Sequence, residues 1–214
     1  MSINLQKGQK IDLTKKGDGL NRIMVGLGWD EAQPAPRHNG GGLFGLFKSQ
    51  PQQQMQNIDC DASAILLNDN GKVYGREAND YCVYYGNLSH YSGAIQHQGD
   101  NLTGAGDGDD EQIMVDLNRV PADVARIVFV VNIYDANVRG QHFGMIQNAF
   151  IRLVNLVNNS EICKFDLSEN YFGMTGMIVG EIYRYNGEWK FNAIGSGFQG
   201  GLAALCGHFG IQVA

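Results

Sequence analysis

Short apolar runs, most alternating with period two and each ended by turn-forming residues, recur along this chain and restrict it to a β-rich fold. Strands are predicted at residues 11–13, 22–27, 60–67, 80–85, 94–98, 112–117, 150–154, 161–165, 177–185 and 188–194. Residues 125–134 (ARIVFVVNIY) form a nearly continuous apolar run, as expected of a strand buried on both faces. The punctuation agrees: Asn68-Asp69-Asn70-Gly71 and Asn158-Asn159 are hairpin signals, and Asn186-Gly187 is the best two-residue hairpin in the chain. With 29 glycines in 214 residues, turns are frequent and elements short. Helical signal is confined to a possible turn at 119–124, with Pro121 near its start, and a short stretch at 202–206. The expected fold class is all-β, a two-sheet antiparallel β-sandwich with short peripheral helices.

One domain spanning 1–214 accounts for the length, and 43% hydrophobic residues are enough for a real core without disulfide staples. Composition shifts abruptly between 31 and 57. That stretch holds Pro34, Pro36, Pro51, the triplet Gly40-Gly41-Gly42, six glutamines and the apolar knot Leu43-Phe44-Gly45-Leu46-Phe47. It reads as a flexible inserted loop, with the knot expected to dock on the domain rather than stay exposed.

The formal charge is −6 and no basic cluster occurs, which argues against a nucleic-acid partner. The amino terminus carries no apolar signal region, and no run approaches the roughly 18 apolar residues of a membrane span. A soluble, cytoplasmic protein without direct membrane insertion is the expectation. Cys60, Cys82, Cys163 and Cys206 form no CxxC pair, and Cys60, Cys82 and Cys163, in apolar or strand-like stretches, are read as small buried thiols.

The most unusual segment is Gly99 to Glu111, GDNLTGAGDGDDE, which packs five carboxylates into thirteen residues between two predicted strands. Two unit charges about 5 Å apart repel by roughly 3 kcal/mol at an effective dielectric of about 20. Acids held together in this way raise their own pKa values, destabilise the fold or recruit a cation. Calcium suits such a loop, since it accepts six to eight oxygen ligands in adaptable geometry. Gly104, Gly106 and Gly108 let the backbone turn so that carbonyls join the carboxylates. The loop is not an EF-hand, because no glutamate stands twelfth from Asp107 and no helices flank it. Asp59 and Asp61, two apart beside a strand, can face the same side, and Asp30 follows another apolar strand.

At this level of detail the chain resembles the TerD family of tellurium-resistance and bacterial stress proteins. The segments that carry the resemblance are VGLGWD (25–30), DCDAS (59–63), GDNLTGAGDGDDE (99–111), VPAD (120–123), DLSE (166–169) and GEIYRYNGEWKF (180–191). The resemblance implies a β-sandwich binding two calcium ions, a role in resistance to tellurite and other chemical stress, and protein partners that include a membrane-associated stress complex. It implies no catalytic activity. Carried onto this sequence, it assigns calcium to Asp59, Asp61, Asp100, Asn101, Gly104, Asp107, Asp109, Asp110 and Glu111, with Asp30 as a further candidate. The chain departs from the family pattern in having Cys60 where leucine is common and in the length of the 31–57 insertion.

Two other function classes compete. A hydrolase has five histidines to draw on (His38, His90, His97, His142 and His208), but the chain contains no HExxH or GxSxG signature. A redox or oxyanion sensor acting through the cysteines lacks a basic neighbour beside Cys60 or Cys82 to stabilise a thiolate. The calcium-binding, non-enzymatic module is the leading expectation.

Overall fold

The structure, a computed structural model, describes residues 2–14, 19–31, 57–99, 108–167 and 169–211. The predicted inserted loop with its Leu43–Phe47 knot lies outside them, apart from residues 31 and 57 at its ends. Among the described residues, twelve strands form two six-stranded sheets that face each other as a sandwich. The first sheet runs in the order β1 (Ile3–Leu5), β10 (Ser160–Asp166), β9 (Ile146–Asn155), β3 (Arg22–Glu31), β7 (Glu111–Asp116) and β6 (Ile95–His97). The second runs β2 (Lys10–Asp12), β12 (Glu188–Phe198), β11 (Gly176–Tyr185), β8 (Arg126–Ile133), β4 (Cys60–Leu67) and β5 (Cys82–Val83). Neighbours are antiparallel except β1, which lies parallel to β10. Three short helices complete the described elements, α1 (Ala78–Tyr81), α2 (Ala136–Arg139) and α3 (Gly201–His208), together with a 3-10 turn at Phe143–Met145.

The period-two pattern becomes the interior directly. Ile23, Val25 and Leu27 of β3, Ile113 and Val115 of β7, and Ile151 and Leu153 of β9 face Ala62, Ala64 and Leu66 of β4 and Ile127, Phe129 and Val131 of β8. Each fully buried aliphatic or aromatic side chain there stabilises the fold by about 1.5–3 kcal/mol. The continuous apolar run in β8 has the expected cause. Its alternate residues Val128 and Val130 point to the opposite face, where they join Ile65, Leu67, Ile178 and Leu205 of α3 in a second cluster. The Asn186-Gly187 hairpin forms as predicted, joining Tyr185 to Glu188 with both turn residues at positive φ, 52° and 79°.

Three local readings change. Residues 80–85 were expected as one strand, but only Cys82 and Val83 pair with β4, while Tyr84 makes an isolated bridge to Asn87. The Asp80 carboxylate accepts hydrogen bonds from the backbone N–H groups of Arg76 and Glu77, at 3.0 and 3.1 Å, and curls the preceding residues into α1. The helical turn expected at 119–124 is a pair of hydrogen-bonded turns instead. The Arg184 guanidinium donates to the carbonyls of Val120, Pro121 and Val124, so these acceptors serve a side chain and not a helix ladder. Finally, β3 runs beyond residue 27 to Glu31, past a register shift between Gly28 and Asp30. No helix among the described residues is long and apolar enough to cross a membrane.

Candidate metal centre

One open edge of the sandwich brings together several of the acidic residues expected to bind metal. There β6 and β7 end the first sheet, while β4 and β5 end the second. Because β5 pairs only with Ala64 and Ile65, the beginning of β4 is left for side chains to satisfy. Glu111, the first residue of β7, occupies an inward position in the alternation of that strand and crosses between the sheets. Its Oε2 accepts a hydrogen bond from the backbone N–H of Ala62 at 2.5 Å. The same oxygen lies 3.4 Å from Nε2 of His97 on β6. Glu111 is only 1% exposed. His97 Nδ1 accepts from the backbone N–H of Gly99 at 3.2 Å, which leaves the ring proton on Nε2, facing the carboxylate.

Around this anchor the other acids collect. Asp61 is buried, and its Oδ2 accepts from the Asn132 amide of β8 at 3.1 Å, its register partner. Asp59, also buried, directly precedes β4, and its carbonyl accepts from the backbone N–H of Tyr134. Asp110 Oδ2 accepts from the backbone N–H of Trp29 at 2.8 Å, and the Asp110 N–H donates to the Leu27 carbonyl. The Cys60 thiol reports on the whole group. Burial pushes its pKa well up, and the negative fields of Asp61, Glu111, Asp59 and Asp110, in that order, push it further. All four carboxylates lie near enough to the buried thiol for their charges to act on it. The Asp110 carboxyl is itself raised, first by burial and then by the charges of Asp30 and Asp109, against the lowering effect of the Trp29 N–H.

Asp109 and Asp30 are engaged elsewhere. Asp109 lies on the outer face of the first sheet, where Arg152 of β9 donates to its Oδ1 at 2.7 Å and its Oδ2 at 3.0 Å, and Gln112 donates to Oδ2 at 3.3 Å. Asp30 accepts from the Asn148 amide at 2.8 Å on the exposed side of β3. The two glycines of VGLGWD make this arrangement possible. A Cβ on Gly26 would stand 2.3 Å from the Asp109 carboxyl carbon, and one on Gly28 would stand 2.5 Å from the Gly108 carbonyl oxygen. Residues 108–110 thus lie over a face of β3 where Gly26 and Gly28 present no side chain.

Of the remaining predicted ligands, Asp100, Asn101, Gly104 and Asp107 lie outside the described residues. Among the described residues no three His, Cys, Asp or Glu side chains are placed to hold a metal ion by themselves. His97, Arg152 and Asn132 were missed by sequence reasoning. His97 was recoverable as the inward residue of an alternating strand, and Arg152 as the lone charge within the apolar run FIRLV.

Comparison with known proteins agrees with this fold and sequence pattern. The TerD domain model matches residues 1–209. Stress response protein SCP2 of Bacillus subtilis is 52% identical over 197 residues, covering 92% of this chain and 93% of that protein. General stress protein 16U of the same organism is 46% identical over 213 residues, and tellurium resistance protein TerD of Serratia marcescens is 44% identical over 214; both alignments cover 100% of each chain. Among solved structures, a homologue of telluride resistance protein (TerD), SCO6318 from Streptomyces coelicolor A3(2), shares the fold with a TM-score of 0.57 at 22% identity, covering 86% of this chain and 94% of that one. This chain belongs to the TerD family of tellurium-resistance and stress-response proteins.

Proposed function

We propose that this protein is a non-enzymatic calcium-binding module of the cytoplasm that serves tellurite and chemical-stress resistance through protein partners, including a membrane-associated complex. The observation that carries the reading is the placement of Asp59 and Asp61 at the start of β4 and of Asp110 and Glu111 at the start of β7, tied across one sandwich edge by the hydrogen bond from the Ala62 N–H to Glu111 Oε2. Three of these are buried and Asp110 is partly so; carboxylates gathered in this way are stabilised by a hard cation, and oxygen donors of this kind are what calcium takes. These four residues would hold the ion pair of sites together with Asp100, Asn101, Gly104 and Asp107. Bound calcium would neutralise the cluster and tie the acidic segment to β4 and β7. Asp109, balanced by Arg152, has a supporting role in this reading: it fixes the end of the segment against β3.

The test is thermal unfolding and calorimetry of the whole protein in EGTA and in calcium. Calcium binding only the folded form stabilises it by about 2.7 kcal/mol at a hundredfold excess over the dissociation constant. The same titration on Glu111→Gln and Asp61→Asn should show a weakened response. An identical melting temperature in EGTA and calcium, with no binding heat, overturns the reading.

A further inference from the structure

On the outer face of the second sheet, next to the acidic edge, lies a groove of about 320 Å³. Its floor is the register pair Asp61 and Asn132, and its walls include Tyr85, Tyr134, Asp135 and Thr175. We propose that this groove binds a guanidinium group, with the Asn132 side-chain oxygen and the Asp61 carboxylate as acceptors and the tyrosines as flanking faces.

Asn132 is 5% exposed. Its Nδ2 donates to Asp61 Oδ2 at 3.1 Å, and this fixes the orientation of the amide, since the reversed amide would set oxygen against carboxylate. Oδ1 is consequently an acceptor without a donor, buried at the floor of a groove. Buried acceptors in that condition are rare in folded proteins and call for a ligand donor. The ligand that fits is cationic. The described lining residues include two carboxylates, Asp61 and Asp135, and no lysine or arginine. It is also flat and donor-rich, because an amide oxygen beside a carboxylate matches the fork of a guanidinium better than a single point donor. Tyr85 and Tyr134 are each near half exposed, and Tyr134 already carries the Arg139 guanidinium 5.1 Å from its ring centroid, so the ring has shown its capacity for this contact. One wall is rigid: Thr175 Oγ1 accepts from the N–H groups of Gly200 and Gly201 at 3.1 and 2.8 Å and pins the start of α3.

The group can arrive as a free guanidinium compound or as an arginine side chain of a partner protein. The inference does not depend on calcium binding, although Asp61 belongs to both sites. Methylguanidinium, and separately a capped Gly-Arg-Gly peptide, should be titrated into the intact labelled protein and followed by amide chemical shifts, in excess EGTA and again in excess calcium. Saturating shifts around Asn132 and Tyr134, weakened about tenfold (about 1.4 kcal/mol) by Asn132→Leu and by the surface substitution Tyr134→Ala, are expected. Tighter binding of the peptide assigns the groove to a partner arginine, and tighter binding of methylguanidinium assigns it to a small molecule. No saturable shift with either probe, shifts indifferent to Tyr134→Ala, or equal binding of uncharged methylurea overturns the proposal. Loss of the probe on adding calcium also overturns it, because the acceptors then belong to the metal. Probe binding in a protein that shows no calcium response leaves this proposal standing and removes the other.

Discussion

The Arg152 guanidinium grips the Asp109 carboxylate through two parallel hydrogen bonds, Nε to Oδ1 at 2.7 Å and Nη2 to Oδ2 at 3.0 Å, and the Asp109 side chain is 0% exposed. The pair separates Asp109 from the acids grouped around Cys60, although it is their neighbour in sequence. Asp109→Asn leaves the guanidinium without its ionised partner. We predict a loss of about 2 kcal/mol in urea unfolding, the scale of a hydrogen bond to a charged group. That loss should be equal in EGTA and in calcium. A loss seen only in calcium would make Asp109 a ligand after all.

Glu111 separates structural support from charge. Glu111→Ala removes the acceptor of the Ala62 N–H and should cost about 1–3 kcal/mol even without calcium. At roughly 2–4 °C per kcal/mol for a domain of this size, that is readily measured by calorimetry. Glu111→Gln keeps an acceptor oxygen, so its melting temperature in EGTA should fall less while its calcium response weakens. Equal behaviour of the two variants in EGTA would show that the Ala62 contact contributes little.

Gly26 and Gly28 set the height at which residues 108–110 lie over β3. Gly26→Ala drives a methyl group into the Asp109 carboxyl and Gly28→Ala drives one into the Gly108 carbonyl. Overpacking of this kind costs about 1–3 kcal/mol. Each variant should also loosen amide-exchange protection at Asp110, whose N–H bonds to the Leu27 carbonyl. Unchanged protection would mean the segment rests elsewhere.

His90 should make stability depend on pH. It is buried, its Nε2 lies 3.0 Å from the Asp80 carbonyl, and its Nδ1 accepts from the Ser92 backbone N–H at 3.2 Å, a pattern that fits the neutral ring. Burial lowers its pKa, against the opposing pull of the Asp80 carbonyl and charge. The folded value therefore lies below the unfolded one, near 6.5. The stabilisation is present above about 6.5 and is lost as pH falls through the lower folded value. Unfolding free energies of the native protein and His90→Gln, measured from pH 7.5 downward, should converge as the solution becomes acidic. A constant difference would dismiss the linkage.

The four cysteines are free, and burial raises all of them, Cys82 and Cys163 to about 12. Thiols so shifted form little thiolate at neutral pH. Mass-resolved labelling of the native protein should find Cys60 and Cys163 modified only at the rate of unfolding. Rapid labelling of either would favour the cysteine-sensor reading.

Much of this molecule was written in local pattern. The alternation in residues 112–117, the double-sided burial of residues 125–134 and the Asn186-Gly187 turn all depend on side-chain periodicity and backbone sterics, which neighbours in sequence suffice to specify. The acidic segment was equally conspicuous, because charge density needs no fold to be counted. Its division was not. Asp109 faces Arg152 and Asp110 faces Trp29, while Glu111 reaches Ala62, so three consecutive acids have three partners drawn from β9, β3 and β4. Sequence separations of 43, 81 and 49 residues lie behind those contacts. Such pairings are decided by strand order and by which sheet edge remains open. These properties arise only when the two sheets close on one another, and they determine which carboxylates are balanced by the protein and which are gathered at the edge.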